Sequence, residues 1–397
     1  MPLPFGLYIH YPFCRSKCPY CDFVSFCDQR DVEREAYWDW LERELQLWLG
    51  EFPALRQRKV QSIYFGGGTP SLAAPESIGD FIGTIQKQMR VIDGAEITLE
   101  VNPESVTKES NESELDRCRL AACTTMKRFH DAGVNRLSIG VQSFSDKDMR
   151  KLHRIHTAQQ AEQAIIVARA AGFYNVSADL IFGIPSQTRQ GFRQNLEKMI
   201  ALRPEHLSVY GMTIYDGTEF HRQHEAGRLQ VPSDAMQATM FLDARHALLA
   251  AGYEHYEISN YALPGFRSRH NSLYWTGGEW LGLGVSAHSS FAGQRWENPS
   301  ALDEWKSALN DKHLPARREE MPQGQAAIGE MIMLGLRQSA GVSLLDISKH
   351  FGEQAAERCN RIFQPLIEEG LVEASGDIRA LTERGLLVAD AIMQKFF

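Results

Sequence analysis

The chain has 397 residues, 43% of them hydrophobic, and a formal net charge of -8. That length suits one large α/β domain and a small accessory one, and the acidic balance gives no support to a nucleic-acid role. No run approaches the roughly 18 apolar residues of a membrane helix, and seven cysteines in a chain this long make no disulfide framework.

Taken in chain order, Phe5–His10 is a predicted strand that runs into the loop Cys14-x3-Cys18-x2-Cys21. Val32–Leu49 has helical periodicity, and Val60–Phe65 is a second strand ending in Gly66-Gly67-Gly68-Thr69-Pro70. Glu76–Met89 reads as a helix and Glu96–Val101 as a third strand. The polar, acidic stretch Thr107–Arg119 reads as an inserted loop. Asn135–Val141, Val176–Phe182 and His206–Ile214 are predicted strands four to six, separated or followed by helices at Ala158–Ala171, Gln190–Leu202 and Asp234–Ala251. Repeated βα units predict a parallel sheet, and six of them a partial (β/α)6 TIM-like barrel, open on one side, with its chemistry at the C-terminal strand ends.

After about Gly252 the pattern changes. Glu254–Asn260 and the Gly/Trp-rich stretch through Trp296 predict a β-containing extension beside the barrel. From about Met321 the order is helix at Val342–His350, helix at Ala355–Glu369, hairpin at Leu371–Leu381 and helix at Gly385–Lys395. This predicts a small winged-helix-like unit. The expected domains are residues 1–230, 231–320 and 321–397. Cys27, Cys118, Cys123 and Cys359 are scattered and no secretory signal precedes Tyr8, so a cytoplasmic location without a membrane span is expected.

Several residues stand out as chemistry-bearing. Three thiolates at Cys14, Cys18 and Cys21 suit a soft metal centre, but are one short of the four that close a zinc or ordinary iron–sulfur site. A triple glycine is by itself a turn. Placed after a strand, it also lets a ligand approach exposed backbone groups closely. Glu100 ends strand three, where its carboxylate can accept hydrogen bonds from a ribose. Gln142 closes strand four and Arg154 follows it. Asp179 sits inside an otherwise apolar strand, which is costly unless it is paired, and Arg154 is its expected partner. His10, His153 and His156 lie close to these loops and are expected to serve as hydrogen-bonding structural groups.

The runs Tyr-Ile-His-x-Pro-Phe-Cys, Gly-Gly-Gly-Thr-Pro-Ser, Gly-Val-Gln-Ser-Phe and Leu-Ile-Phe-Gly-Ile-Pro, in this order over nearly the whole chain, resemble the coproporphyrinogen dehydrogenase-like (HemN/HemW) branch of the radical S-adenosylmethionine (SAM) enzymes. The resemblance implies a [4Fe-4S] cluster on Cys14, Cys18 and Cys21 whose open iron is chelated by SAM, and a reductant for that cluster. It implies that Tyr8 and Tyr20 flank the SAM, that Gly67, Gly68 and Thr69 line its methionine and adenosine, and that Glu100 holds its ribose. Gln142, Arg154, Asp179 and Thr213 match positions that hold a second SAM in the dehydrogenases.

Within the branch, the dehydrogenase loop adds a fourth cysteine where Phe23 stands here, and a long segment precedes that loop where this sequence has few residues. His270-Asn271-Ser272-Leu273-Tyr274-Trp275 matches the H-N-x-x-Y-W motif of the haem-chaperone group. The expectation is therefore a haem chaperone that binds haem near His270, with His288 as a second candidate ligand, and passes it to an acceptor haemoprotein. The rival expectations are oxygen-independent decarboxylation of coproporphyrinogen III and a related radical SAM methyl transfer.

Overall fold

The computed structural model describes residues 3–27, 31–107 and 115–397. Six strands lie side by side in chain order and run parallel: β1 (Phe5–Tyr11), β2 (Lys59–Gly67), β3 (Arg90–Val101), β4 (Arg136–Gln142), β5 (Val176–Phe182) and β6 (His206–Gly211). Beyond β6 the sheet continues antiparallel through β7 (Glu254–Glu257) and β8 (Asn260–Ala262), with β8 against β6. On the other side of β1 lies β9 (Glu279–Leu283), parallel to it. An antiparallel run of β10 (His288–Phe291), β11 (Gln294–Glu297) and β12 (Arg317–Glu319) follows. Among the described residues the hydrogen-bond ladder does not close: its two ends are β12 and β7.

Side chains alternate across a strand, so each strand has two faces. On one, Leu7, Ile9, Ile63, Phe65, Leu99, Val101, Leu137, Ile139, Ala178, Leu180, Leu207 and Val209 are buried and join the main apolar core with helices 31–51, 75–88, 158–170 and 189–202. On the other stand Tyr8, His10, Ser62, Tyr64, Thr98, Glu100, Arg136, Ser138, Ser177, Asp179, His206 and Ser208. The outer face is a conventional packed layer, and the inner face is polar almost throughout.

Three of the longer helices start at a side-chain cap. Thr157 accepts from Gln160 N and closes a capping box at Ala158–Ala170. Thr188 and Ser233 cap Arg189–Leu202 and Asp234–Ala250 by a single bond each, accepting from Gly191 N and Met236 N.

Three expectations change. The strand expected over 206–214 stops at Gly211, because its neighbour β5 ends at Phe182, directly opposite. Residues 108–114 of the expected 107–119 loop lie outside the described residues, and a helix that the pattern did not predict starts at Leu115 and runs to Asp131. Arg269–Trp275 forms a short helix capped by Ser268, within the stretch expected as a β-containing extension.

The C-terminal part has its own apolar cluster, including Ile328, Ile332, Leu336, Phe363, Leu366 and Phe396. A three-stranded sheet orders β13 (Val342–Ser343), β15 (Ile378–Leu381) and β14 (Val372–Ser375) antiparallel around helices 344–351 and 353–368. This is a winged-helix arrangement. Ser343 both ends β13 and caps the next helix, which shortens the helix expected from Val342. The helix expected over 385–395 is two short helices, Glu383–Leu386 and Ala389–Met393, with a 3-10 turn after them. Gly385 packs so tightly on Leu371 O that a Cβ there would sit 1.9 Å from it.

Candidate functional site

A cavity of about 410 Å³ opens at the C-terminal ends of β2 to β6, under the cysteine loop. Backbone bonds fix that loop: Phe26 N donates to Pro12 O at 2.7 Å and Cys14 N to Phe26 O at 3.0 Å. Gly68 N and Thr69 N donate to Tyr11 O and Phe13 O, both at 2.8 Å. Cys14, Cys18 and Cys21 all line the cavity as free thiols. Burial raises the pKa of Cys14 and lifts that of Cys21 to about 11. Thiols raised by burial ionise only beside a strong positive charge, and with Cys18 converging on the same cavity this donor set fits a metal centre.

The glycine loop is shaped by close approach. Gly67 has φ +105°, and a Cβ there would lie 2.6 Å from the His10 ring. A Cβ on Gly68 would lie 2.8 Å from Phe13 O. Beside this loop, Glu100 accepts from Tyr64 OH at 2.9 Å and from Gly67 N at 3.1 Å. Burial, opposed by these donors, leaves its pKa at about 7.

A chain of hydrogen bonds joins two of the cysteines across the cavity wall. Arg154 Nη1 donates to Cys18 Sγ at 3.5 Å and Nη2 to Asn102 Oδ1 at 2.5 Å. Asn102 Nδ2 then donates to Thr69 Oγ1 at 2.8 Å, and Thr69 Oγ1 to Cys14 Sγ at 3.5 Å. Gly140 leaves room for this chain, since a Cβ there would meet Gln142 Nε2 at 2.9 Å and Asn102 Oδ1 at 3.1 Å. Gln142 sits at φ +64°, where β4 breaks register with β5. A non-glycine residue in that region is strained, a condition found at ligand sites.

Of the residues singled out from sequence, the cysteines, Tyr20, Gly67, Gly68, Thr69, Glu100, Gln142, Arg154, Asp179 and Thr213 line one cavity. The expected Arg154–Asp179 pair is not made, because Arg154 is spent on Cys18, Asn102 and Gly140 O. Asp179 instead accepts a hydrogen bond from Ser208, its Oδ1 has no partner, and burial lifts its pKa to about 6.

Tyr8, His270 and His288 stand apart from the cavity lining. Tyr8 OH meets His10 Nδ1 at 3.0 Å, and its ring stacks on Tyr64 and His270. His270 is 0% exposed. Its Nδ1 is 2.9 Å from Ser62 Oγ and its Nε2 2.9 Å from Tyr274 OH, so neither nitrogen is open to an iron. Burial lowers its pKa to about 3. His288 is exposed at the start of β10, 3.1 Å from Glu319, and does not line the cavity. His10 and His156 make structural bonds, to Val24 O and Glu104.

Sequence reasoning missed Asn102, Tyr64 and Arg136, all of which line the cavity. Arg136 carried the same signal as Asp179, a charge within the apolar strand Arg136-Leu-Ser-Ile-Gly-Val-Gln142.

The chain matches the radical SAM superfamily over residues 8–199 and the HemN C-terminal domain over residues 324–388. It is 31% identical over 390 residues to the haem chaperone HemW of Bacillus subtilis, spanning 98% of each chain. It is 30% identical over 399 residues to the haem chaperone HemW of Escherichia coli K12, spanning 99% of this chain and 98% of that one. Its fold is shared with the coproporphyrinogen III oxidase HemN of Escherichia coli, a radical SAM enzyme, at TM-score 0.81 and 22% identity over 100% of this chain and 90% of that chain.

Proposed function

The chain belongs to the HemW group of the radical SAM, coproporphyrinogen III oxidase-like family, and from that premise we propose that it is a haem chaperone passing haem to an acceptor haemoprotein. The observation that carries this reading is similarity to haem chaperones along nearly the whole length of both chains. Phe23, 60% exposed at the cavity mouth where a dehydrogenase has its fourth cysteine, agrees with it.

In this reading Cys14, Cys18 and Cys21 hold a [4Fe-4S] cluster. The cluster supplies an open iron for SAM and, with an external reductant, an electron. Gly67, Gly68 and Thr69 take the methionine and adenosine of SAM, and Glu100 its ribose. Tyr20, Gln142, Arg154, Asp179 and Thr213 complete the wall. Because His270 is enclosed, we place the haem at the cavity mouth, where Phe23, Met212 and Tyr215 offer apolar and aromatic surface. Among the described residues no helix is long and apolar enough to cross a membrane, which agrees with action in the cytoplasm.

The test is anaerobic reconstitution with iron and sulfide, haem titration, and then mixing with an apo-haemoprotein. A saturable Soret band that moves to the acceptor supports the reading. Release of carbon dioxide from coproporphyrinogen III, with SAM and a reductant, would replace it with the dehydrogenase reading.

A further inference from the structure

Arg136 opens β4 opposite Thr98 of β3, on the polar inner face, and lines the cavity with Tyr64, Asp179 and Ser208. The residue is 1% exposed, and its Nε and Nη1 have no hydrogen-bond partner. A buried guanidinium left this way is costly. The two nearby acids offset its charge but do not satisfy these donors. Glu100 is bonded to Tyr64 and Gly67, and Asp179 to Ser208. Both feel the charge of Arg136 but neither makes a hydrogen bond with it.

A guanidinium presents a planar fork of donors that matches a carboxylate. Two acids already stand beside this fork, so a singly charged anion is tolerated there better than a doubly charged phosphate. We propose that Arg136 receives a carboxylate of the molecule held in the cavity. This rests on the reading of the cavity as the site of SAM and haem. Two ligands could bring the group: the methionyl carboxylate of a second SAM molecule, the first being held by its methionine at Gly67, Gly68 and Thr69, or a propionate arm of the tetrapyrrole reaching inward from the mouth.

The experiment compares each acid with a carboxylate-free analogue: SAM with decarboxylated SAM, and haem with haem dimethyl ester. All four are titrated against reconstituted wild type, Arg136→Gln and Arg136→Lys. The expected result is that Arg136→Gln weakens one acid by roughly tenfold to a hundredfold and leaves its analogue unchanged. The acid affected names the source. Melting of the ligand-free variant should be no lower than wild type, because an unpartnered buried charge has gone.

Equal binding of both acids by variant and wild type would overturn the proposal. So would parallel loss of acid and analogue, binding of neither acid by wild type, or a lowered melting temperature without any acid-selective loss. Arg136→Lys keeps the charge but not the fork. If Arg136→Gln does not fold, an acid-selective loss in the lysine variant supports the proposal and unchanged acid binding overturns it. Should wild type bind SAM but not haem, the chaperone reading falls, while the SAM arm still decides the role of Arg136.

Discussion

Arg154 and Asn102 meet through a 2.5 Å hydrogen bond that connects the cysteine loop to the end of β3. Through it, Cys18 and Cys14 share one chain of donors and acceptors with Thr69. The loop that presents the thiols is thus oriented from the strands that form the cavity wall.

Asn102→Ala cuts this chain without removing a thiol. Iron and sulfide per chain should stay at the wild-type level after reconstitution, while SAM binding weakens by about tenfold, the order of one lost hydrogen bond to a charged group. Iron analysis alongside a SAM titration checks it. Loss of iron in step with SAM would show that the chain supports the loop itself.

Cys18→Ala removes a thiol from the middle of the loop. Two thiols cannot secure the cuboid, so the variant should fold with a wild-type melting profile in the absence of iron and lack the visible iron–sulfur absorption after reconstitution. A full cluster spectrum in this variant would sink the assignment of the three cysteines.

Glu100→Gln should change how stability depends on pH in the ligand-free chain. The group is raised to about 7 from an ordinary value of 4.5 by burial, with Tyr64, Gly67, Asp179 and Arg136 acting on it. Between those values the folded chain keeps a proton that the unfolded chain has released. The stability this group contributes is therefore fully present below about pH 4.5 and is lost as pH rises through 7. Between pH 5 and pH 8 wild type should therefore lose ~1–2 kcal/mol relative to the glutamine variant, while the buried histidines, His270 at about 3 among them, gain stability over the same range in both proteins. Asp179 at about 6 and Glu44 at about 7 shift the same way, so part of the slope survives. Urea titrations of both proteins at the two pH values check it, and identical slopes would refute it.

His270→Ala should act through the fold. Its ring bridges Ser62 to Tyr274 and stacks on Tyr64, and its N–H caps onto Glu96 Oε1 at 3.0 Å. Losing the ring leaves two buried hydroxyls unpaired and a gap, which costs about 2–4 kcal/mol. Haem bound per folded chain should not change. A Soret loss larger than the unfolded fraction would instead give His270 a direct part in haem binding.

Much of the site was legible because strand ends and loops carry local signatures. The cysteine spacing, the triple glycine and Glu100 were readable one motif at a time, and the parallel order of the strands brought them to one cavity. The pairing of Arg154 was not readable. Whether an arginine reaches Asp179 or Asn102 depends on which strand's inner face it crosses, and no local pattern encodes that. His270 misled for a related reason. A His beside aromatics reads the same on a surface or in the interior, and only the packing of β1 and β2 over it decides. The C-terminal hairpin was clear from Ser375-Gly376-Asp377. The break before Ala389 was not, because it lies at Val388, whose backbone leaves the helical region (φ -129°, ψ 26°) without a glycine or proline to mark it.

The division of the strands into an apolar outer face and a polar inner face has an evolutionary consequence. Cohesion of the large domain comes from the layer between sheet and helices, whereas the inner residues that line the cavity face one another and whatever enters. Exchanging an inner side chain alters the choice of guest more than the survival of the host. A scaffold divided this way can acquire or abandon a chemical task by a few inward substitutions while its sheet and helices stay as they are.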